Sequence, residues 1–275
     1  RNACSAVQRV REVANKDAAL AFLDHLGGSP GHVLTIVGVK GGFSSLMVQI
    51  APDAEHIELL AGVADTERHG AAVQVLRDFV RKRPWIGPLV FGGGGRIPIR
   101  RPYDRLGAPG LVLLGDAGCQ VFPAHASGVG SGLIAARVLA ETLEKFDDPG
   151  ADLAVWDYQS RFHRERGGVH AAYELMQRAT QRMNGDDLES LIAAGLIDSE
   201  NSRAALDQQL RTPGTSQALE MIRAAARSPK RSAKLLKSAI RMPLMEKLYA
   251  MYPREPNEKA LARWANAVKL LRGRG

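Results

Sequence analysis

The stretch from Leu111 to Gly132 constrains the fold of this chain more than any other. Four apolar residues, Leu111 to Leu114, run into Gly115-Asp116-Ala117, followed by Pro123 and then Gly128-Val129-Gly130-Ser131-Gly132. An unbroken apolar run is the pattern of a strand covered on both faces. Glycines opening an alanine-rich run are the pattern of a helix start that a ligand can approach closely, because no Cβ stands in the way. A strand that delivers a carboxylate and then a helix amino end is how open α/β folds bind dinucleotides. Asp116, once ionised, only accepts hydrogen bonds and so suits sugar hydroxyls, while the amides after Gly128 and the helix dipole favour an anion.

The flanking sequence divides by pattern. His32–Val39, Phe43–Ile50 and His56–Leu60 are apolar or alternating runs separated by Lys40-Gly41-Gly42 and Ala51-Pro52-Asp53, which predicts an antiparallel meander. In its second strand Leu46, Val48 and Ile50 share one face; Ser45, Met47 and Gln49 share the other, which lines a ligand cavity or meets solvent. Gly70–Lys82 suits a helix with Val73, Leu76 and Val80 on one side, stopped by Pro84. Gly92–Gly95 lacks the Gly-Lys-Ser/Thr that a phosphate loop requires and reads as a close backbone approach or turn before a short strand at Ile97 and Ile99. Arg96, Arg100, Arg101 and Arg105 gather ahead of the central motif, placed either to pair with acids such as Asp104 or to face an anionic ligand.

After Gly132 the pattern is helical. Leu133, Ala136, Ala140 and Leu143 are the expected packing stripe of the first helix, and Leu153, Trp156, Tyr158 and Phe162 are the candidate buried groups of the second. Pro213, Pro229, Pro243, Pro253 and Pro256 are expected to cut the remainder into short helices. Leu261, Trp264, Ala265, Val268 and Leu271 form an apolar stripe that suits packing within the domain.

Composition excludes several classes. Of 275 residues, 45% are hydrophobic and 24% charged, which suits a globular protein, and no apolar run reaches the roughly 18 residues a membrane helix needs. Two cysteines, Cys4 and Cys119, without CxxC spacing fit a reducing, cytoplasmic compartment. The net charge of +8 is carried by residues 221–275, where 14 Lys/Arg face three Glu. That tail is either a solvated face on packed helices or a contact for an anionic surface. With few aromatics interleaved and no nucleic-acid fold in view, nucleic-acid binding is not expected.

Gly115-Asp116-Ala117, Pro123, Gly128-Val129-Gly130 and the helix with Ala135, Ala136 and Ala140 together resemble the second flavin-contacting segment of FAD-dependent oxidoreductases of the geranylgeranyl reductase and aromatic hydroxylase superfamily. Gly118-Cys119 after Gly-Asp-Ala is more similar to the reductase branch than to the hydroxylases. The resemblance implies an α/β FAD/NAD(P)-binding fold with an antiparallel β substrate domain and a helical carboxyl-terminal region. It implies that Gly115, Asp116, Pro123, Gly128, Val129, Gly130, Ser131 and Gly132 border FAD, with Asp116 at the ribityl or diphosphate part and the amides at the ring. NADH, NADPH or another donor would then reduce the flavin, and an isoprenoid lipid or other apolar molecule is the expected substrate, with peripheral membrane contact compatible with either. Double-bond reduction is the expected reaction. Oxygenation of an apolar or aromatic substrate, and a non-catalytic role through the basic tail, are the alternatives.

The family's first FAD segment, a strand leading into Gly-x-Gly-x-x-Gly, has no counterpart among Gly27-Gly28, Gly38, Gly41-Gly42 or Gly92–Gly95. The chain is therefore expected to be the carboxyl-terminal portion of a longer enzyme, with on the order of 100 to 180 residues of the dinucleotide fold preceding it. The expected division is a β-rich substrate domain at 1–100, the second FAD segment at 101–150 and helices at 151–275. His125, in the flavin-side loop, is the candidate proton donor, with a structural histidine as the competing reading. Cys119 reads as a small buried residue or a partner of the ring, and Phe43, Met47 and Gln49 are candidates for the substrate side. No metal site is expected.

Overall fold

The computed structural model describes residues 3–39, 44–64, 70–181, 183–193, 199–210 and 229–273. The chain divides into two compact units, one of residues 1–97 with 181–189 and one of residues 98–180 with 190–275.

The first unit is built on a five-stranded sheet of order β2-β3-β4-β1-β5. Its strands are β1 (Ala3–Val13), β2 (Val33–Val37), β3 (Ser44–Ile50), β4 (His56–Ala64) and β5 (Ile86–Pro98). The expected meander is present: β2 pairs antiparallel with β3, and β3 with β4, while β1 pairs antiparallel with the far side of β4. Residues 40–43, which include the candidate Phe43, lie outside the described residues.

Alternation in β3 has its physical consequence here. Leu46, Val48 and Ile50 are buried with Ile57, Leu59, Ala61 and Val63 of β4, whereas Met47 and Gln49 lie half-buried on the opposite face. Two helices cover the core: α1 (Lys16–His25), capped by the Asn15 side chain accepting from the Ala18 amide, and α2 (Ala72–Arg81). Ala72, Val75, Leu76 and Phe79 are the buried residues of α2, so the buried stripe follows the i, i+3, i+4, i+7 rule from Ala72, and Val73 is exposed.

Of the two readings of the glycine run, close backbone approach is the one realised: Gly92–Gly95 continues β5 instead of forming a turn. A Cβ on Gly92 would stand 2.3 Å from the Gln8 carbonyl oxygen and one on Gly94 2.9 Å from that of Ala6, whereas Gly93 and Gly95 have nothing within 4 Å. Glycine at 92 and 94 thus lets β5 press against the backbone of β1.

The second unit is largely helical. A hairpin of β6 (Gly107–Ala108) and β7 (Leu111–Val112) precedes a 3-10 turn at Gly115–Gly118. There follow α3 (Val129–Leu143), α4 (Asp152–Phe162), a π-helical turn at His163–Gly167 and α5 (Gly168–Thr180). Then come α6 (Gly185–Ala193), whose first residues belong to the first unit, α7 (Ser199–Leu206), α8 (Pro229–Ala250) and α9 (Glu258–Arg272). Pro243 does not cut its segment: it sits inside the 22-residue α8. Tertiary packing outweighs the lost hydrogen bond, since the adjoining Met245 and Tyr249 are fully buried. The apolar stripe of α9 packs inward, with Leu261, Trp264 and Val268 buried among Trp156, Ala171, Leu175, Met245, Tyr249 and Tyr252.

The buried side of α3 also differs from expectation. Ser131, Ala135, Val138 and Thr142 are buried, and Ala135 and Val138 meet Leu106, Tyr158 and Phe162. Val129 and Leu133, at 79% and 68% exposure, lie on the other side. An alanine-rich helix has two apolar sides, and the aromatic pair Tyr158–Phe162 selects the one with the smaller residues. Among the described residues no helix is long and apolar enough to cross a membrane.

Candidate functional site

The central motif does not form the long buried strand expected of Leu111–Leu114. Only Leu111 and Val112 pair, with Ala108 and Gly107, and Leu111 is 61% exposed. Among the described residues the strand paired with β7 is the antiparallel β6, and no parallel neighbour lies beside it; no Rossmann dinucleotide motif is seen.

The loop after it is nonetheless closely specified. Gly115 adopts φ +61°, a left-handed conformation that costs glycine little, and opens the 3-10 turn that carries Asp116. The turn closes on itself as the Cys119 amide donates to the Asp116 carbonyl and the Gln120 amide to that of Gly115. Gln120, fully buried, holds the loop from inside. Its Oε1 accepts from the Gly115 amide at 2.7 Å, and its Nε2 donates to the Tyr158 hydroxyl at 2.9 Å. Tyr158 donates in turn to the Leu113 carbonyl at 3.0 Å, and burial raises its hydroxyl pKa to about 12.

Cys119 is buried with φ +54°. Burial pushes its thiol pKa up, opposed by a hydrogen bond with the Tyr103 hydroxyl and by the Arg100 guanidinium, which lies 4.7 Å from the Tyr103 ring. Pro123 is buried in a tight turn whose ends pair as the Phe122 amide donates to the Ser127 carbonyl at 3.0 Å. His125 lies in the same turn, its Nε2 3.2 Å from the Ala205 carbonyl and its ring centroid 5.0 Å from that of Phe122. Burial lowers its pKa, with the Ala205 carbonyl opposing.

The fold brings Asp116 to the start of α3. A Cβ on Gly128 would stand 3.3 Å from Asp116 Oδ1, so the carboxylate sits directly over the glycine that precedes the helix. Gly115 and Gly132 have nothing within 4 Å of where a Cβ would point, and Val129 and Gly130 are exposed. The amides of Val129, Gly130 and Ser131 have no acceptor among the described residues, and no side chain caps α3. An acidic oxygen and several free donors therefore share one open surface. Ser131 differs from its neighbours: its side chain is buried, and its hydroxyl donates to Gln208 Oε1 at 3.1 Å.

The arginines before the motif divide by role. Arg101 is buried, with Nη1 donating to Asp104 Oδ1 at 2.6 Å and to the Tyr249 hydroxyl at 3.2 Å, and Arg105 pairs with Glu258. These links from α8 and α9 back to residues 101–105 were not legible in the sequence, because nothing in local spacing couples residues 148 apart. Among the described residues no group of three or more His, Cys, Asp or Glu could hold a metal ion.

No protein-family model matches the chain. It is 29% identical over 185 residues to digeranylgeranylglycerophospholipid reductase from Sulfolobus acidocaldarius, a match spanning 66% of this chain and 40% of that protein. It is 29% identical over 156 residues to the reductase of the same name from Methanothrix thermoacetophila, spanning 54% of this chain and 39% of that one. The chain thus spans about two-fifths of the length of the curated relatives it matches. In fold it is similar to a geranylgeranyl bacteriochlorophyll reductase-like protein from Thermoplasma acidophilum, with a TM-score of 0.58 at 14% identity, covering 86% of this chain and 55% of that one. In sequence the chain is thus similar to digeranylgeranylglycerophospholipid reductases, and in fold to a geranylgeranyl bacteriochlorophyll reductase-like protein. Its antiparallel sheet and carboxyl-terminal helices resemble part of that fold.

Proposed function

We propose that this chain supplies the flavin-facing part of an FAD-dependent oxidoreductase that reduces carbon–carbon double bonds of an isoprenoid or other apolar substrate. The observation that carries the reading is the juxtaposition of Asp116 Oδ1 with Gly128 at a helix start whose first amides have no acceptor among the described residues. The names of the curated relatives, reductases of digeranylgeranyl lipids, support the choice of substrate class.

The residues present fit a flavin's ring-side half. Asp116 would accept from ribityl hydroxyls, and the Gly128, Val129, Gly130 and Ser131 amides would oppose negative charge on the ring. Gly115 and Gly132 leave open space for close approach, and Pro123 holds the intervening loop. When bound, a flavin supplies the hydride that a carbon–carbon double bond receives, having been reduced by NADH or NADPH. The chain's own work is to hold the ring, exclude water and stabilise charge, while His125 Nε2 is engaged with the Ala205 carbonyl.

Two measurements test the proposal. Protein purified without denaturation is titrated with FAD and followed by quenching of flavin fluorescence; absence of binding overturns it. Anaerobic NAD(P)H consumption is then compared with and without a geranylgeranyl lipid. The expected result is a saturated product and consumption that depends on the lipid, and turnover that requires oxygen contradicts it.

A further inference from the structure

Gln208 closes α7 in a position that ordinarily calls for glycine. Its amide donates to the Ala205 carbonyl at 3.1 Å and the Gln209 amide to the Ala204 carbonyl at 2.9 Å, the two bonds of a Schellman motif with Gln208 at the left-handed position. Its φ is +54°, a conformation that glycine adopts freely and a residue with a Cβ does not. The side chain at this strained position is held from two directions. Gln208 Oε1 accepts from the Ser131 hydroxyl at 3.1 Å and from Arg166 Nη2 at 3.0 Å. A guanidinium only donates, so the oxygen must face Arg166 and the amide nitrogen must point the other way.

That nitrogen points to the start of α3. Gln208 Nε2 lies 3.6 Å from where a Cβ on Gly130 would stand, and it has no acceptor among the described residues. Resting on the flavin reading above, we infer that Gln208 is a further binding residue of that site. Its side-chain NH2, aimed by Ser131 and Arg166, donates to an oxygen of the flavin beside the Gly130 amide. The Tyr173 hydroxyl, donating to the Gln209 carbonyl at 2.8 Å, anchors the turn that presents it. Strain kept at one residue while its side chain is aimed is the arrangement expected of a binding position.

The turn's own chemistry provides the test. Gln208→Gly removes the side chain and relieves the left-handed backbone, which offsets the acceptor lost to Ser131 and Arg166, so this variant is expected to stay folded with a melting temperature close to the parent's and to bind FAD roughly three- to tenfold more weakly, the loss of one hydrogen bond. Gln208→Glu keeps an oxygen for Ser131 and for Arg166 but has no donor to offer. It is expected to bind FAD more weakly than Gln208→Gly and to make the bound flavin's reduction potential more negative. If both variants bind FAD as the parent does, the inference about Gln208 fails while the flavin reading stands. A Gln208→Glu variant that binds as well as the parent leaves only a bridging role and also overturns it. If the parent takes up no FAD, both readings fall together.

Discussion

Gln120 Nε2 donates to the Tyr158 hydroxyl at 2.9 Å, and through this contact α4 sets the shape of the Gly115–Gly118 turn. Tyr158→Phe removes an acceptor from Gln120 and a donor from the Leu113 carbonyl, leaving buried polar groups unpaired. The expected loss of stability is about 1–3 kcal/mol, measured by urea unfolding of both proteins. A change under about 0.5 kcal/mol would show that the loop keeps its shape without the phenol.

Asp116 and Gly128 should be separable by flavin binding. Asp116→Ala removes a charged acceptor, with an expected loss of FAD affinity of roughly 10- to 100-fold. Gly128→Ala places a methyl group 3.3 Å from Asp116 Oδ1, tight enough to displace the carboxylate. Its affinity should fall in the same direction, and the double variant should show less than the sum of the two effects. Full additivity in the fluorescence titrations would mean that the two positions act independently.

The glycine run of β5 allows an internal comparison. Gly92→Ala drives a Cβ against the Gln8 carbonyl oxygen and is expected to cost about 1–3 kcal/mol or more. Gly93→Ala meets nothing within 4 Å and should stay within about 0.5 kcal/mol of the parent. Equal melting temperatures for the two variants would contradict the close approach of β5 to β1.

Acid should weaken the helical unit through two buried histidines. Burial, reinforced by the Arg101 guanidinium, pushes the His163 pKa down to about 3, with nearby Asp104 opposing; burial pushes that of His170 to about 4. Both are neutral in the folded protein and take up a proton more readily when unfolded, near 6.5. Stability is therefore greatest above about pH 6.5 and is lost as pH falls toward 3. At pH 5 each histidine costs about 2 kcal/mol relative to neutral pH. His163→Phe should flatten that acid limb in urea midpoints measured from pH 4 to 8, and an unchanged limb would assign it to other groups.

Legibility in the sequence followed the range of the forces involved. The β2–β3–β4 meander and the buried faces of β3 and α9 follow from periodicity, and periodicity is local. The Gly-Asp and Gly-x-Gly elements were legible as a pattern, and Asp116 and Gly128 do lie together. What escaped depends on distant partners. The glycines of β5 suit a turn or a close backbone approach equally until Gln8 and Ala6 lie beside them. The buried side of α3 is chosen by Tyr158 and Phe162. Pro243 argues for a helix end, yet its neighbours Met245 and Tyr249 are buried and hold α8 continuous. Gln208 carried no signal in its own neighbourhood, since only its αL backbone and its partners Ser131 and Arg166 distinguish it.

The bond from Arg101 to Tyr249, and that from the Tyr252 hydroxyl to the Asp104 carbonyl, have a consequence in time. Each joins residues 148 apart, and synthesis proceeds at roughly 5–20 residues per second, so about 7 to 30 seconds separate the two partners' emergence. Until α8 is complete, the Arg101 guanidinium must stay hydrated, and the stretch leading into the Gly-Asp turn lacks its final support. The segment around Tyr249 and Tyr252 is thus what lets the approach to the turn settle, and a ribosome paused before Tyr249 would hold a nascent chain with that approach unfinished.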